Sequence, residues 1–320
     1  MTTRRTLLTR AGLLAAGGAA LFLVRDRLPW PPLEPRFADG RATPWLPIPR
    51  QGLIEVPAVV NGRRLRAIVD TGAEFTAVDA AFAERAGLER PLAAPVLAYG
   101  VSGRPSLAHT VRLDLRLPGF AIDRVRAAAL DLAAISAATG RDFQLLIGRD
   151  VLSRVVLEAD FTRDRVRLVA ADRAATPAEA MILPLTPRSG APTVPVAIED
   201  AAPLDLLVDT GASGWIALSE AAAAQAGLLA PGRQVSQAHS VGLGGLSVDR
   251  LVTARRVRLG PVTLRDIDVQ IYSPAAHAPA PSGLIGLRLL RRFGMAVDLG
   301  RRRLVLQTPA LSVVSGTNAR

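Results

Sequence analysis

Two stretches of this chain repeat one pattern of apolar and polar positions. Residues 54–60, IEVPAVV, put apolar side chains at every second place, the period of a strand with one buried face. Asn61-Gly62 follows, a pair that tolerates the positive φ of a tight hairpin. Residues 65–69 read as the return strand, which ends at Asp70. Farther on, residues 193–198 and 204–208 read as another strand pair, with a longer turn between, ending at Asp209. Each Asp opens the same four residues, Asp-Thr-Gly-Ala. A short helix is predicted after each. Asp79 caps residues 80–86 and Gly87 stops them; Ser219 caps 220–226 and Gly227 stops them. Glycine-bearing hairpin tips come next, AYGVSGRPS from Ala98 and SVGLGGLS from Ser240. Alternating strands follow at 111–117 and 262–271.

The register of the repeat holds along its length. Asp209 lies 139 residues after Asp70, Gly286 138 after Gly148, and Asp298 138 after Asp160. LLIGRDVLSRV from Leu145 matches GLIGLRLLRRF from Gly283. An internal repeat of this length predicts two similar β-rich lobes, at residues 51–170 and 181–308. Residues 171–180 link them, and 309–320 form a tail.

Two lobes built alike can face each other across a pseudo-two-fold axis and bring both Asp to a shared centre. Carboxylates about 3 Å apart cannot both ionise, so the pair holds one proton. The ionised member can take a proton from water while the protonated one polarises a carbonyl. Gly72 and Gly211 let the backbone turn beneath the carboxylates, and Thr71 and Thr210 can lock the loops through their hydroxyls. Asp160 and Asp298 each precede a turn, and turn capping is their expected role.

The motifs resemble the retropepsin-like and pepsin-like aspartic proteases over most of residues 51–308. Apolar-apolar-Asp-Thr-Gly-Ala is followed by a glycine-bearing flap and then by apolar-Ile-Gly opening a helix, twice. The resemblance implies a mainly β fold: two homologous retropepsin-like β-barrel lobes with short helices and a cleft between them. It implies an aspartic endopeptidase with Asp70 and Asp209 catalytic, and Thr71, Gly72, Ala73, Thr210, Gly211 and Ala212 supporting them. The flaps carry over loosely to Tyr99, Gly100 and Gly103, and to Gly242, Gly244 and Gly245. Retroviral relatives are dimers of one lobe; this chain resembles both lobes fused, so a monomer is expected to suffice. Pepsins place Ser or Thr where this chain has Ala73 and Ala212. The helix between each Asp-Thr-Gly-Ala and its flap is closer to bacterial membrane-linked members. The rival reading is a peptide-binding module of the same fold that cuts nothing.

Composition narrows the chemistry. The chain has 320 residues, 49% of them apolar but only 4% aromatic, so aliphatic side chains and alanine must fill the core. There is no cysteine, which excludes disulfides, thiolate nucleophiles and Cys-ligated metal. His109, His239 and His277 lack metal-site spacing, so neither metal nor cofactor is expected. The formal charge is +11, and all 39 basic residues are arginine. Clusters such as Arg301-Arg302-Arg303 have no interleaved aromatics to stack on bases, and a peptide or protein substrate is expected rather than nucleic acid. Gly242-Leu243-Gly244-Gly245 is no dinucleotide motif, since a strand pattern follows it.

Residues 1–28 read separately. Thr3-Arg4-Arg5-Thr6-Leu7-Leu8 resembles a twin-arginine export signal, and the 14 apolar residues 11–24 are short of the roughly 20 that span a bilayer. The segment is expected to direct export to the periplasm or to remain as a membrane anchor. Residues 29–50 are Pro-rich and read as an extended linker.

Overall fold

The computed structural model describes residues 14–16, 20–22, 32–91, 95–99, 105–140, 142–188, 190–242, 245–273 and 282–308. Each lobe is a closed ring of six strands. In the first, Glu55–Val60 pairs antiparallel with Arg63–Val69, which runs parallel to Leu145–Ile147. Leu145–Ile147 lies antiparallel to Ala77–Asp79, which runs parallel to Phe120–Leu130. Pro105–Leu117 closes the ring back onto Glu55–Val60. The second lobe repeats every step. Ala191–Ile198, Leu204–Val208, Gly283–Ile285, Ile216–Ser219, Val262–Tyr272 and Gly245–Leu259 join in the same order, and the last pairs with the first. The alternation in the sequence builds these rings, because one face of each strand must enter the core. Along Glu55–Val60 the alternate positions Val56, Ala58 and Val60 are buried.

The local signals act as their chemistry demands. Asn61 and Gly62 both take positive φ in the first hairpin. Asp79 accepts a hydrogen bond from Phe82 N at 2.8 Å to start the helix Ala80–Arg85, and Ser219 accepts from Ala222 N at 3.3 Å to start Glu220–Gln225. Asp160 accepts from Arg163 N and Asp298 from Arg301 N, so both cap turns. Gly245–Leu259 is one strand, with no helix after the glycines.

A six-stranded sheet joins the lobes. Its order is Met181–Pro184, Arg303–Gln307, Gly294–Asp298, Val156–Asp160, Arg165–Val169 and Leu46–Pro47. The central pairing, Val156–Asp160 with Gly294–Asp298, crosses from one lobe to the other. Part of the Pro-rich stretch is built into this layer. Leu46 and Ile48 are buried, Thr43 Oγ1 accepts from Leu168 N, and Trp45 stacks on the guanidinium groups of Arg165 and Arg167 at 4.4 and 4.5 Å. Residues 43–48 are thus part of the first lobe, anchored by the few apolar side chains among the prolines.

Two hairpins leave the rings: Pro95–Tyr99 with the start of Pro105–Leu117, and Ser236–Gly242 with the start of Gly245–Leu259. Leu14–Ala16 runs parallel to residues 240–242, and Ala20–Phe22 antiparallel to residues 97–99. Most of the predicted export segment lies outside the described residues. Among the described residues no helix is long and apolar enough to cross a membrane.

Candidate active site

The strand entering each Asp and the strand leaving it share one neighbour. Asp70 N donates to Ile147 O at 3.0 Å, and Asp209 N donates to Ile285 O at 3.0 Å. Arg149 N then bonds Ala73 O, and Leu287 N bonds Ala212 O, which ties each Asp loop to the single-turn helix behind it. The glycine of each Ile-Gly is required by crowding. A Cβ on Gly148 would collide with the backbone of Phe75 and Thr76, and one on Gly286 would stand 2.5 Å from Gly214 O.

The two loops meet in a symmetric grip. Thr71 N donates to Thr210 Oγ1 and Thr210 N to Thr71 Oγ1, both at 3.0 Å. Each hydroxyl then donates across the seam, Thr71 Oγ1 to Val208 O and Thr210 Oγ1 to Val69 O, both at 2.7 Å. Every polar group in this ring has a partner, although both threonines are fully buried.

The grip places the carboxyl groups. Asp70 Oδ1 accepts from Gly72 N at 2.8 Å and Ala73 N at 3.0 Å. Asp209 Oδ1 accepts from Gly211 N at 2.8 Å, with Ala212 N as a further donor. Each Oδ2 is buried and has no hydrogen-bond partner. Each glycine lies under the carboxyl of the opposite lobe. A Cβ on Gly72 would stand 2.5 Å from Asp209 Oδ1, and one on Gly211 would collide with the Asp70 carboxyl. Only glycine leaves room for both.

Burial raises both acids. Asp70 is held well above the usual carboxylate range, first by desolvation and then by the charge of Asp209. Asp209 is raised to about 6 by desolvation, against the Gly211 N–H. A pair so placed can share one proton in mild acid, with one member as base and the other as acid. Among the described residues no group of three His, Cys, Asp or Glu could hold a metal.

The structure brings Asp70, Thr71, Gly72, Ala73, Asp209, Thr210, Gly211 and Ala212 together. Tyr99, Gly242 and Gly245 lie at the ends of the two hairpins, where Gly242 pairs with Gly245 and Tyr99 with Pro105. Gly100, Gly103 and Gly244 lie outside the described residues.

Sequence reasoning missed the layer behind the loops. Asp150 Oδ1 accepts from Thr76 N and Thr76 Oγ1 at 3.0 and 2.8 Å, and burial raises its carboxyl to about 6. In the second lobe Arg288 follows Leu287 where Asp150 follows Arg149, and its guanidinium lies 5.4 Å from the centroid of the Trp215 ring, while strand register puts Ile216 in the place of Thr76. The signal was the charged Arg149-Asp150 following a buried Ile-Gly, where the other lobe has Leu287-Arg288.

No curated protein matches the chain. A solved retropepsin-like aspartic protease from Rickettsia conorii is 21% identical over 40% of this chain and 90% of that one, with a TM-score of 0.32. The sequence profile of the aspartyl protease family matches residues 56–151 and again 194–289, one match to each Asp-bearing lobe. With both halves matched over more than half its length, the chain belongs to the aspartyl protease family.

Proposed function

We propose that this protein is an endopeptidase that hydrolyses peptide bonds with a water activated between Asp70 and Asp209. One observation carries the reading. Two fully buried carboxyl groups are each fixed through Oδ1 by their own loop, while Oδ2 is committed to no partner. Burying two like charges side by side is costly. A module that only bound peptides would gain nothing from keeping both acids. The test is cleavage of a mixed peptide library by the full chain, followed by mass spectrometry. Internal cleavage with specific activity unchanged on dilution through the nanomolar range is expected, because one chain supplies both acids. Binding without cleavage at any pH from 3 to 8 would favour the peptide-binding module.

The basic, then apolar, N-terminus supports an envelope role, with limited cleavage of exported proteins near the membrane. Residues 1–28 fused to a reporter are expected to carry it out of the cytoplasm, and Arg4→Lys with Arg5→Lys is expected to stop this. A reporter retained in the cytoplasm would remove the envelope reading.

A further inference from the structure

The strands of the second lobe present two faces. Leu206, Val208, Ile216, Leu218 and Ile285 enter the main core. The residues between them, Leu207, Ala217 and Leu284, point the other way and cluster separately with Ala212 and Tyr272. This is the face of Asp209, which follows Val208 and whose loop contains Ala212. Strand register extends the face. Ala217 lies beside Gln270, and Gln270 beside Leu251, two residues from Asp249. There a polar cluster stands on the root of the second hairpin. Gln270 Nε2 donates to Asp249 Oδ2. Ser240 Oγ donates to the same oxygen at 2.6 Å and Ser247 Oγ at 3.4 Å, and the two hydroxyls lie 2.6 Å apart.

Asp249 is only 8% exposed, and an acid so buried ordinarily has a cation. Among the described residues it has none. Its donors are all neutral and all fall on Oδ2; Oδ1 accepts nothing, yet is not sealed from solvent. The first lobe has no such group. Leu130 pairs with the helix cap Asp79 as Tyr272 pairs with Ser219, so Ala128 stands in the place of Gln270. Ala128 pairs with Thr110 as Gln270 pairs with Leu251, which puts Ala108 in the place of Asp249. Both alanines are buried.

We propose that Asp249 sets specificity: it receives the guanidinium or ammonium group of a basic peptide residue on the second-lobe side of the cut bond, while the matching place on the first-lobe side takes a small apolar residue. This rests on the endopeptidase reading above. With Oδ2 held by three donors, Oδ1 is the atom left for an incoming cation. A guanidinium meets a carboxylate with directed N–H donors, and an ammonium meets it as a point charge. The apolar cluster of Leu207, Ala217, Tyr272 and Leu284 offers a wall for the methylene stem. A neutral residue of the same shape leaves the buried acid without its cation and is rejected for that reason. The net charge of +11 repels basic peptides from the rest of the surface, so a preference for them has to come from a particular acid.

The full chain acting on a peptide library is expected to enrich Arg or Lys at one position, on one side of the cut only. Matched peptides then carry arginine or its uncharged isostere citrulline at that position. Wild type is expected to favour arginine by at least about 30-fold in kcat/KM, and Asp249→Asn to lose that margin. Cleavage with no basic residue enriched overturns the inference, whatever the variant does. So does an undiminished margin in an Asp249→Asn protein that melts like wild type. Either result leaves the protease reading standing. A second readout needs no cleavage. Full-chain Asp70→Asn protein, mixed with the library, is expected to retain peptides rich in Arg and Lys, and to lose this selectivity when Asp249→Asn is added. Retention without that selectivity overturns the inference. Selective retention through Asp249 by a protein whose wild-type form cuts no peptide makes the protease reading fail alone.

Discussion

Asp70→Asn and Asp209→Asn are each expected to lower kcat by about 10²–10⁴-fold, the scale of a lost general acid or base, without unfolding the protein. Asparagine has nearly the same shape as aspartate. Its Oδ1 still accepts from Gly72 N and Ala73 N, or from Gly211 N. What disappears is the proton that the pair exchanges, and neither half can act without the other. The fold gains from the change, because both native acids are buried at a cost that raises their pKa. Thermal midpoints at pH 7 are therefore expected at or above wild type. Mixing the two variants restores nothing, since each molecule carries one damaged pair. Steady-state cleavage and thermal melts check all three statements. More than about a tenth of wild-type activity in either variant would contradict the shared-proton reading. Complementation in the mixture would place the pair between chains.

The second large effect lies in the threonine grip. Thr71→Val leaves shape nearly unchanged and removes one hydroxyl. Thr210 N then loses its acceptor and Val208 O its donor, both inside the seam between the lobes. Two orphaned buried groups cost on the order of 2–4 kcal/mol together. Thr210→Val does the same to Thr71 N and Val69 O. The double variant is expected to lose less than the sum, because the four bonds form one ring. Thr71→Ser keeps the hydroxyl and should stay within about 1 kcal/mol of wild type. Urea unfolding of the four variants beside wild type decides it. A Thr71→Val protein as stable as Thr71→Ser would show that the ring contributes little to holding the lobes.

The Asp pair was legible because its signal is local and occurs twice. Asp-Thr-Gly-Ala after an apolar strand places the carboxyl, and the constant offset between copies places the second lobe. The caps at Asp79 and Ser219 were legible for the same reason: each bonds a backbone N–H three residues on. The pairing of Val156–Asp160 with Gly294–Asp298 left no such trace, since nothing in either strand names a partner well over a hundred residues away. The docking of residues 43–48 was hidden by prolines, whose composition speaks of extension and not of contact. Arg149 escaped because a search for repeats rewards sameness. It stands where the copies disagree.

That disagreement gives the site a direction. A peptide has two different ends, while a site with perfect two-fold symmetry accepts it either way round at equal energy. Here the loop of one Asp continues into Glu74 with Arg149 behind it, and the loop of the other into Ser213 with Leu287 behind it. Reversing the peptide exchanges which acid faces its carbonyl and which faces its nitrogen, and the two orientations are no longer equivalent. If the chain is a protease, two unequal halves in one molecule would distinguish the amino side of a bond from the carboxyl side.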